Sequence, residues 1–133
     1  MTDRVRFGLI TPIIFKAETK SLAAISREAK ELAVRAKAKK LKPSEFEGGT
    51  FSVSNLGMYG IKDFTAVINP PQSTILAVGA GEQRAVVKNG KIEIANVMSV
   101  TMSCDHRVID GALGATWLEA FKGYIEDPVT MLV

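Results

Sequence analysis

His106 is the only histidine of the chain, and its neighbours are chemically dense. Asp105 precedes it, Arg107 follows it, Asp110 lies four residues on, and Gly111 comes next. An imidazole titrates near neutral pH, so it can take a proton from a bound thiol or hydroxyl. Such a reaction also needs a hydrogen-bond donor where negative charge develops. The stretch SVSNLG (52–57) offers two, Ser52 and Ser54, in a glycine-rich segment where backbone can approach a ligand closely. Other chemistries find less support. A transition-metal site wants three or four His, Cys or carboxylate ligands. Cys104 and His106 share one face of an extended strand, but no further ligand set is recognisable. A serine hydrolase of the G-x-S-x-G type is unsupported, because that pentapeptide is absent. From the residues alone His106 is either a general base or a satisfied polar residue at a strand end.

The elements that must position these residues are legible from periodicity and punctuation. FGLITPIIF (7–15) reads as a buried strand, with Pro12 placing it at an edge or beside a bulge. Residues 18–42 form the clearest helix, capped by Ser21 or Thr19. Its apolar stripe is Leu22, Ile25, Ala29, Leu32 and Ala36, and Pro43 is expected to end it. Arg35, Lys37, Lys39 and Lys40 gather at its C-terminal end, where the helix dipole favours cations; they read as a solvated helix end. A short strand is expected within 47–64, then a turn at Asn69-Pro70-Pro71 and a strand over 73–79. A hairpin follows, turning at Asn89-Gly90 in type I′ geometry. VMSVTMSC (97–104) alternates and reads as a strand running into His106. Leu113, Trp117, Leu118, Phe121 and Ile125 have helical spacing, with Asp110 as N-cap and Asp127-Pro128 as the stop. Cys104 reads as a buried strand residue. The order describes a mixed α/β protein: a mixed sheet with flanking helices.

Bulk properties narrow the class. The 133 residues are 47% apolar and 23% charged, which is globular composition. A net charge of +3, with little aromatic interleaving among the basic residues, argues against a nucleic-acid partner. One cysteine permits no intrachain disulfide and fits a reducing compartment. No apolar run approaches the ~20 residues of a membrane helix, and the N-terminus does not read as a signal peptide.

The segment DHRVIDG (105–111) resembles the His-x-x-x-Asp-Gly motif of coenzyme A-dependent acyltransferases. That family includes chloramphenicol acetyltransferase and the acyltransferase cores of 2-oxoacid dehydrogenase complexes. GLITPII, GGTFSVSNLGMYGIKDFTAVINPPQSTILAVG and MSCDHRVIDGALGATWL extend the resemblance over nearly the whole chain. SNLGMYGI is similar to the dihydrolipoyl acetyltransferase branch of the pyruvate dehydrogenase complex rather than the succinyl or branched-chain branches.

This resemblance implies a chloramphenicol acetyltransferase-like fold, N-terminally truncated. Residues 1–133 would be the C-terminal part of the catalytic domain, without lipoyl or peripheral-subunit-binding domains. It implies acetyl transfer between dihydrolipoamide and coenzyme A, with His106 as general base, its ring held by a hydrogen bond to its own carbonyl. Ser54 would donate to the tetrahedral oxyanion. Asp110 would match the motif acid, pairing with an arginine and capping the last helix. Arg107 would be an ion-pair partner shaping the loop, and Gly111 would permit a tight turn. Asn55, Gly57 and Met58 would line the substrate channel. Coenzyme A or acetyl-coenzyme A would be a substrate, the lipoyl group would arrive on a lipoyl domain, and no metal is implied. The implied assembly is a homotrimer, with histidine and serine from neighbouring subunits, built into a cubic or dodecahedral core. Its implied partners are the pyruvate decarboxylating and dihydrolipoamide dehydrogenase components, in the bacterial cytoplasm or mitochondrial matrix. Transfer of another acyl group and a non-catalytic assembly fragment are the alternatives. Exposed sheet edges and apolar faces are expected of such a truncated chain.

Overall fold

A computed structural model describes residues 10–132. The chain forms two compact units, one up to Gly49 and one from Thr50 onward.

The first unit is built on helix α1, Leu22–Lys37. The Ser21 side chain accepts a hydrogen bond from the Ala24 N–H (3.3 Å), the N-cap expected from the sequence. The helix stops well before Pro43. Lys39 adopts a left-handed backbone (φ 56°), and the Lys40 N–H returns to the Arg35 carbonyl (2.9 Å). That is a Schellman-type closure without its usual glycine, and Pro43 instead opens a short 3-10 turn, Pro43–Glu45. Of the apolar stripe only Leu32 is buried, while Leu22 is exposed. Arg35 is not a solvated cation. It pairs with Glu45 and, at 3.6 Å, with Glu31. The Lys42 N–H and the Arg35 guanidinium hold the Glu45 carboxyl below its usual range. The strand expected over 7–15 is corrected in part. Residues 7–9 lie outside the described residues, and 10–15 form no strand. Here the chain carries Pro12, and the Ile13 N–H bonds the Glu45 carbonyl (2.8 Å) without a ladder.

The second unit holds a three-stranded mixed sheet in the order β1-β2-β5. Its strands are β1 (Phe51–Asn55), β2 (Thr74–Val78) and β5 (Val100–Cys104). β1 runs parallel to β2, and β5 runs antiparallel to it. β2 is the central strand, and its apolar run buries Ile75, Leu76 and Ala77. A strand covered on both faces loses the polar alternation of an edge strand. Between β2 and β5, strands β3 (Glu82–Lys88) and β4 (Lys91–Val97) form a separate hairpin. Asn89 and Gly90 take positive φ (52° and 75°), as a type I′ turn requires. The strand expected over 97–104 is therefore divided, with Val97 ending β4 and β5 beginning at Val100.

Register assigns the two faces of the sheet. Phe51, Thr74 and Cys104 share a row, as do Val53, Leu76 and Met102. Helix α2, Gly111–Glu126, covers this face. Gly114 is buried there; a Cβ on it would stand 3.3 Å from the Met102 Cε. Trp117 stacks on Phe121 (centroids 5.5 Å apart) and meets Phe51 at a tilt (5.3 Å). The opposite face carries the rows Ser52-Ile75-Ser103 and Ser54-Ala77-Thr101. The extended segment 61–66 crosses it at β5. There the Thr101 hydroxyl donates to Asp63 (3.0 Å) and the Ser103 hydroxyl to the Ala66 carbonyl (2.8 Å). Apolar surface is left open, as expected, on Val53 of β1 and on Val87, Ile92 and Ile94 of the hairpin.

Gly79 permits this crossing. A Cβ there would lie 2.0 Å from the Lys62 carbonyl oxygen, a backbone atom that cannot step aside. Gly79→Ala is therefore expected to lose about 3 kcal/mol in urea unfolding, at the upper end for overpacking. Gly81→Ala meets nothing within 4 Å and should stay within ~0.5 kcal/mol of the parent.

Candidate functional site

His106 sits just past the end of β5, in a turn over residues 106–108. The Asp105 N–H bonds the Ser73 carbonyl (2.8 Å), extending the β2–β5 ladder by one step. The Asp105 carbonyl then accepts from both Val108 and Ile109 N–H (3.0 Å each), so the chain folds back at once over His106 and Arg107. His106 is exposed, and its ring makes no hydrogen bond among the described residues.

Two carboxylates bracket the histidine, and each is committed. Asp105 Oδ1 accepts the Arg107 backbone N–H (3.0 Å). Its two oxygens also take Arg107 Nε (3.0 and 3.1 Å) and Nη2 (2.6 Å). The guanidinium first, and the backbone N–H second, lower the Asp105 carboxyl from 3.8 to about 2. Asp110 accepts the Leu113 N–H (2.8 Å) and caps α2. Among the described residues Asp110 has no arginine partner, and Arg107 pairs with Asp105. Sequence reasoning missed Asp105, although a carboxylate two residues before an arginine was a readable signal for a local clip. Gly111 is corrected too. It is the first residue of α2, with no positive φ and nothing within 4 Å of a Cβ, so no tight turn depends on it.

The serines separate cleanly. Ser52 is buried and donates its hydroxyl to Gln72 Oε1. Ser54 is half-buried on β1, and its hydroxyl has no partner among the described residues. Asn55 Oδ1 accepts the Gly57 N–H (2.9 Å), turning the chain as it leaves β1. A Cβ on Gly57 would lie 2.8 Å from the Gly79 carbonyl oxygen, so this residue packs on backbone. Met58 is 77% exposed. Cys104 is half-buried.

One chain does not bring Ser54 and His106 together. Ser54 shares its row with Ala77 and Thr101, whereas His106 lies beyond Cys104 at the other end of β5. Three residues along the strand and two strand spacings across put Ser54 roughly 14 Å from the end of β5. A base and an oxyanion donor must each come within about 3 Å of the reacting atoms.

Residues 3–133 match the sequence pattern of the 2-oxoacid dehydrogenases acyltransferase (catalytic domain). The chain belongs to that family. It is 66% identical over 126 residues to the dihydrolipoyllysine-residue acetyltransferase component of the Rhizobium meliloti pyruvate dehydrogenase complex. That alignment covers 95% of this chain and 28% of the relative. Among solved structures it superposes with a TM-score of 0.89 on the Azotobacter vinelandii dihydrolipoamide acetyltransferase. The two are 35% identical over 95% of this chain and 52% of that one, and a serine, a histidine and an asparagine of that enzyme were investigated for their catalytic role. The cubic core of the pyruvate dehydrogenase multienzyme complex gives the same TM-score at 34% identity, over 95% of this chain and 52% of that one. The chain thus spans under a third of the curated relative and about half of each solved chain. The expected mixed α/β fold of the chloramphenicol acetyltransferase type is that of these cores.

Arg107→Ala should return the Asp105 carboxyl from about 2 toward 3.8 in a carboxyl-carbon NMR titration. The folded value is the depressed one. The pair's stabilisation is therefore present above the unfolded-state value and fades as pH falls toward 2. Asp110→Ala should lower stability by about 1 kcal/mol through loss of the cap.

Proposed function

We propose that the chain acts in acetyl transfer between dihydrolipoamide and coenzyme A, as the C-terminal part (1–133) of an acyltransferase catalytic domain. The observation that carries this reading is the spacing of three residues. In the Azotobacter enzyme the investigated serine precedes the histidine by 52 residues, and the asparagine follows it by four. Ser54 precedes His106 by 52 here, and Asp110 follows it by four. The free hydroxyl of Ser54, against the spent one of Ser52, supports the same choice.

In the proposed reaction His106 takes the proton of the coenzyme A thiol. The thiolate attacks the carbonyl carbon of the acetyl group on the lipoyl sulfur, and the electron pair moves onto oxygen. Ser54 donates a hydrogen bond to that oxyanion. The intermediate collapses, the bond from carbon to the lipoyl sulfur breaks, and His106 returns its proton to the departing sulfur. Atoms and charge balance without metal or redox partner. Asp110 is a positioning residue in this scheme. Asparagine and aspartate are both strong N-caps, and a carboxamide is neither acid nor base near neutral pH, so capping is a role open to both residue types.

The separation of Ser54 from His106 favours a site made by two copies, each lending one residue. An oligomer satisfies this, and the trimeric core implied by the resemblance is its simplest form. Asn55 and Gly57, which turn the chain beside Ser54, then shape the edge of the site, and Met58 lies next to them.

His106→Ala should lower acetyl transfer by about 10²- to 10⁴-fold, and Ser54→Ala by about 10²- to 10³-fold. Assays with acetyl-coenzyme A and dihydrolipoamide check both. Full activity in His106→Ala would sink the assignment. Co-refolding the two variants should recover part of the activity, because a mixed assembly contains sites with both residues intact. No recovery would mean that both residues serve one chain's own site.

A further inference from the structure

We propose that Asp105 and Arg107 form a positioning clip that fixes the direction in which His106 presents its imidazole; this rests on His106 being the base. A base must be aimed, and a misplacement of about 1 Å can lower a rate by 10²-fold. The His106 ring is exposed and bonds no other described residue, so within this chain the backbone beneath it aims it. Asp105 controls that backbone from both sides. Its N–H is fixed to Ser73 at the end of the sheet, and its carbonyl closes the turn by accepting from Val108 and Ile109. Its carboxylate takes the Arg107 N–H and then the fork of the same residue's side chain. The residues on either side of His106 are thus tied to each other, and one of them is tied to the sheet.

The clip is also separable from the fold. The Arg107 side chain is 90% exposed, and a pair so open to solvent adds little to stability. Its planar guanidinium meets the carboxylate through two nitrogens, a geometry that lysine cannot reproduce. Asparagine at 105 would keep the acceptor for the Arg107 N–H and lose the charge.

The test compares Asp105→Ala, Asp105→Asn, Arg107→Ala and Arg107→Lys in the assembled protein, using acetyl-coenzyme A and dihydrolipoamide. Asp105→Ala is expected to lower kcat about 10- to 100-fold, with KM for coenzyme A and the unfolding temperature held. Asp105→Asn should fall between it and the parent, and Arg107→Lys between Arg107→Ala and the parent. Hydrogen exchange at Val108 and Ile109 should quicken in step with the loss. Parent-like kcat in Asp105→Ala, or a loss matched by a lowered unfolding temperature, would overturn the clip. His106→Ala is run beside them. If it keeps activity, the base assignment falls, while the exchange rates still decide whether Asp105 holds the turn.

Discussion

The ladder between β2 and β5 is the constraint on which the rest of the second unit depends. It pairs Thr74 with Cys104 and Val78 with Val100, and its last step is the bond from Asp105 to Ser73. A slip of one residue would move every side chain of β5 to the other face. Met102 and Cys104 would leave α2, and Ser103 would leave the Ala66 carbonyl that it bonds. Ile75, Leu76 and Ala77 hold the register, because a central strand buried on both faces has no second arrangement that keeps its apolar residues dry. The position of His106 is inherited from that register through Asp105.

The same sheet sets Ser54 and His106 apart. Parallel pairing of β1 with β2 places Ser54 toward the end where β5 begins, and the antiparallel β5 delivers His106 at the other end. No rotamer can close a gap of that size. The separation is a product of topology, and it is this separation that the proposed two-copy site answers.

Much of this was readable before any coordinates. Asp110 as a cap, Asn89-Gly90 as the hairpin turn and the two helices follow from local rules, and each is found. The failures share a cause. Lys39 ends α1 in a conformation that sequence rules assign to glycine, so the stop was placed at Pro43. Residues 10–15 are apolar but pair with no strand, since periodicity cannot tell a buried strand from an extended segment without a ladder. Gly111 was expected to permit a tight turn, yet its backbone is ordinary, whereas Gly79 was unremarked and permits a close crossing by the distant Lys62. Contacts between segments far apart in sequence leave no local trace. Asp105 was passed over because His106 and Asp110 drew the chemistry toward themselves.

The hairpin of β3 and β4 has a consequence for the order of events during folding. Its strands are adjacent in sequence and share a two-residue turn, so it belongs to the structures that form in microseconds. β1 must find β2 across a long intervening segment, and β2 must find β5 around the whole hairpin, which is slower because the closing loops are larger. The earliest structure is therefore also the one that turns Ala85, Val87, Ile92 and Ile94 outward on a single face. Newly made chains display that adhesive strip before their sheet exists. Concentration and temperature during synthesis then decide between productive association and precipitation.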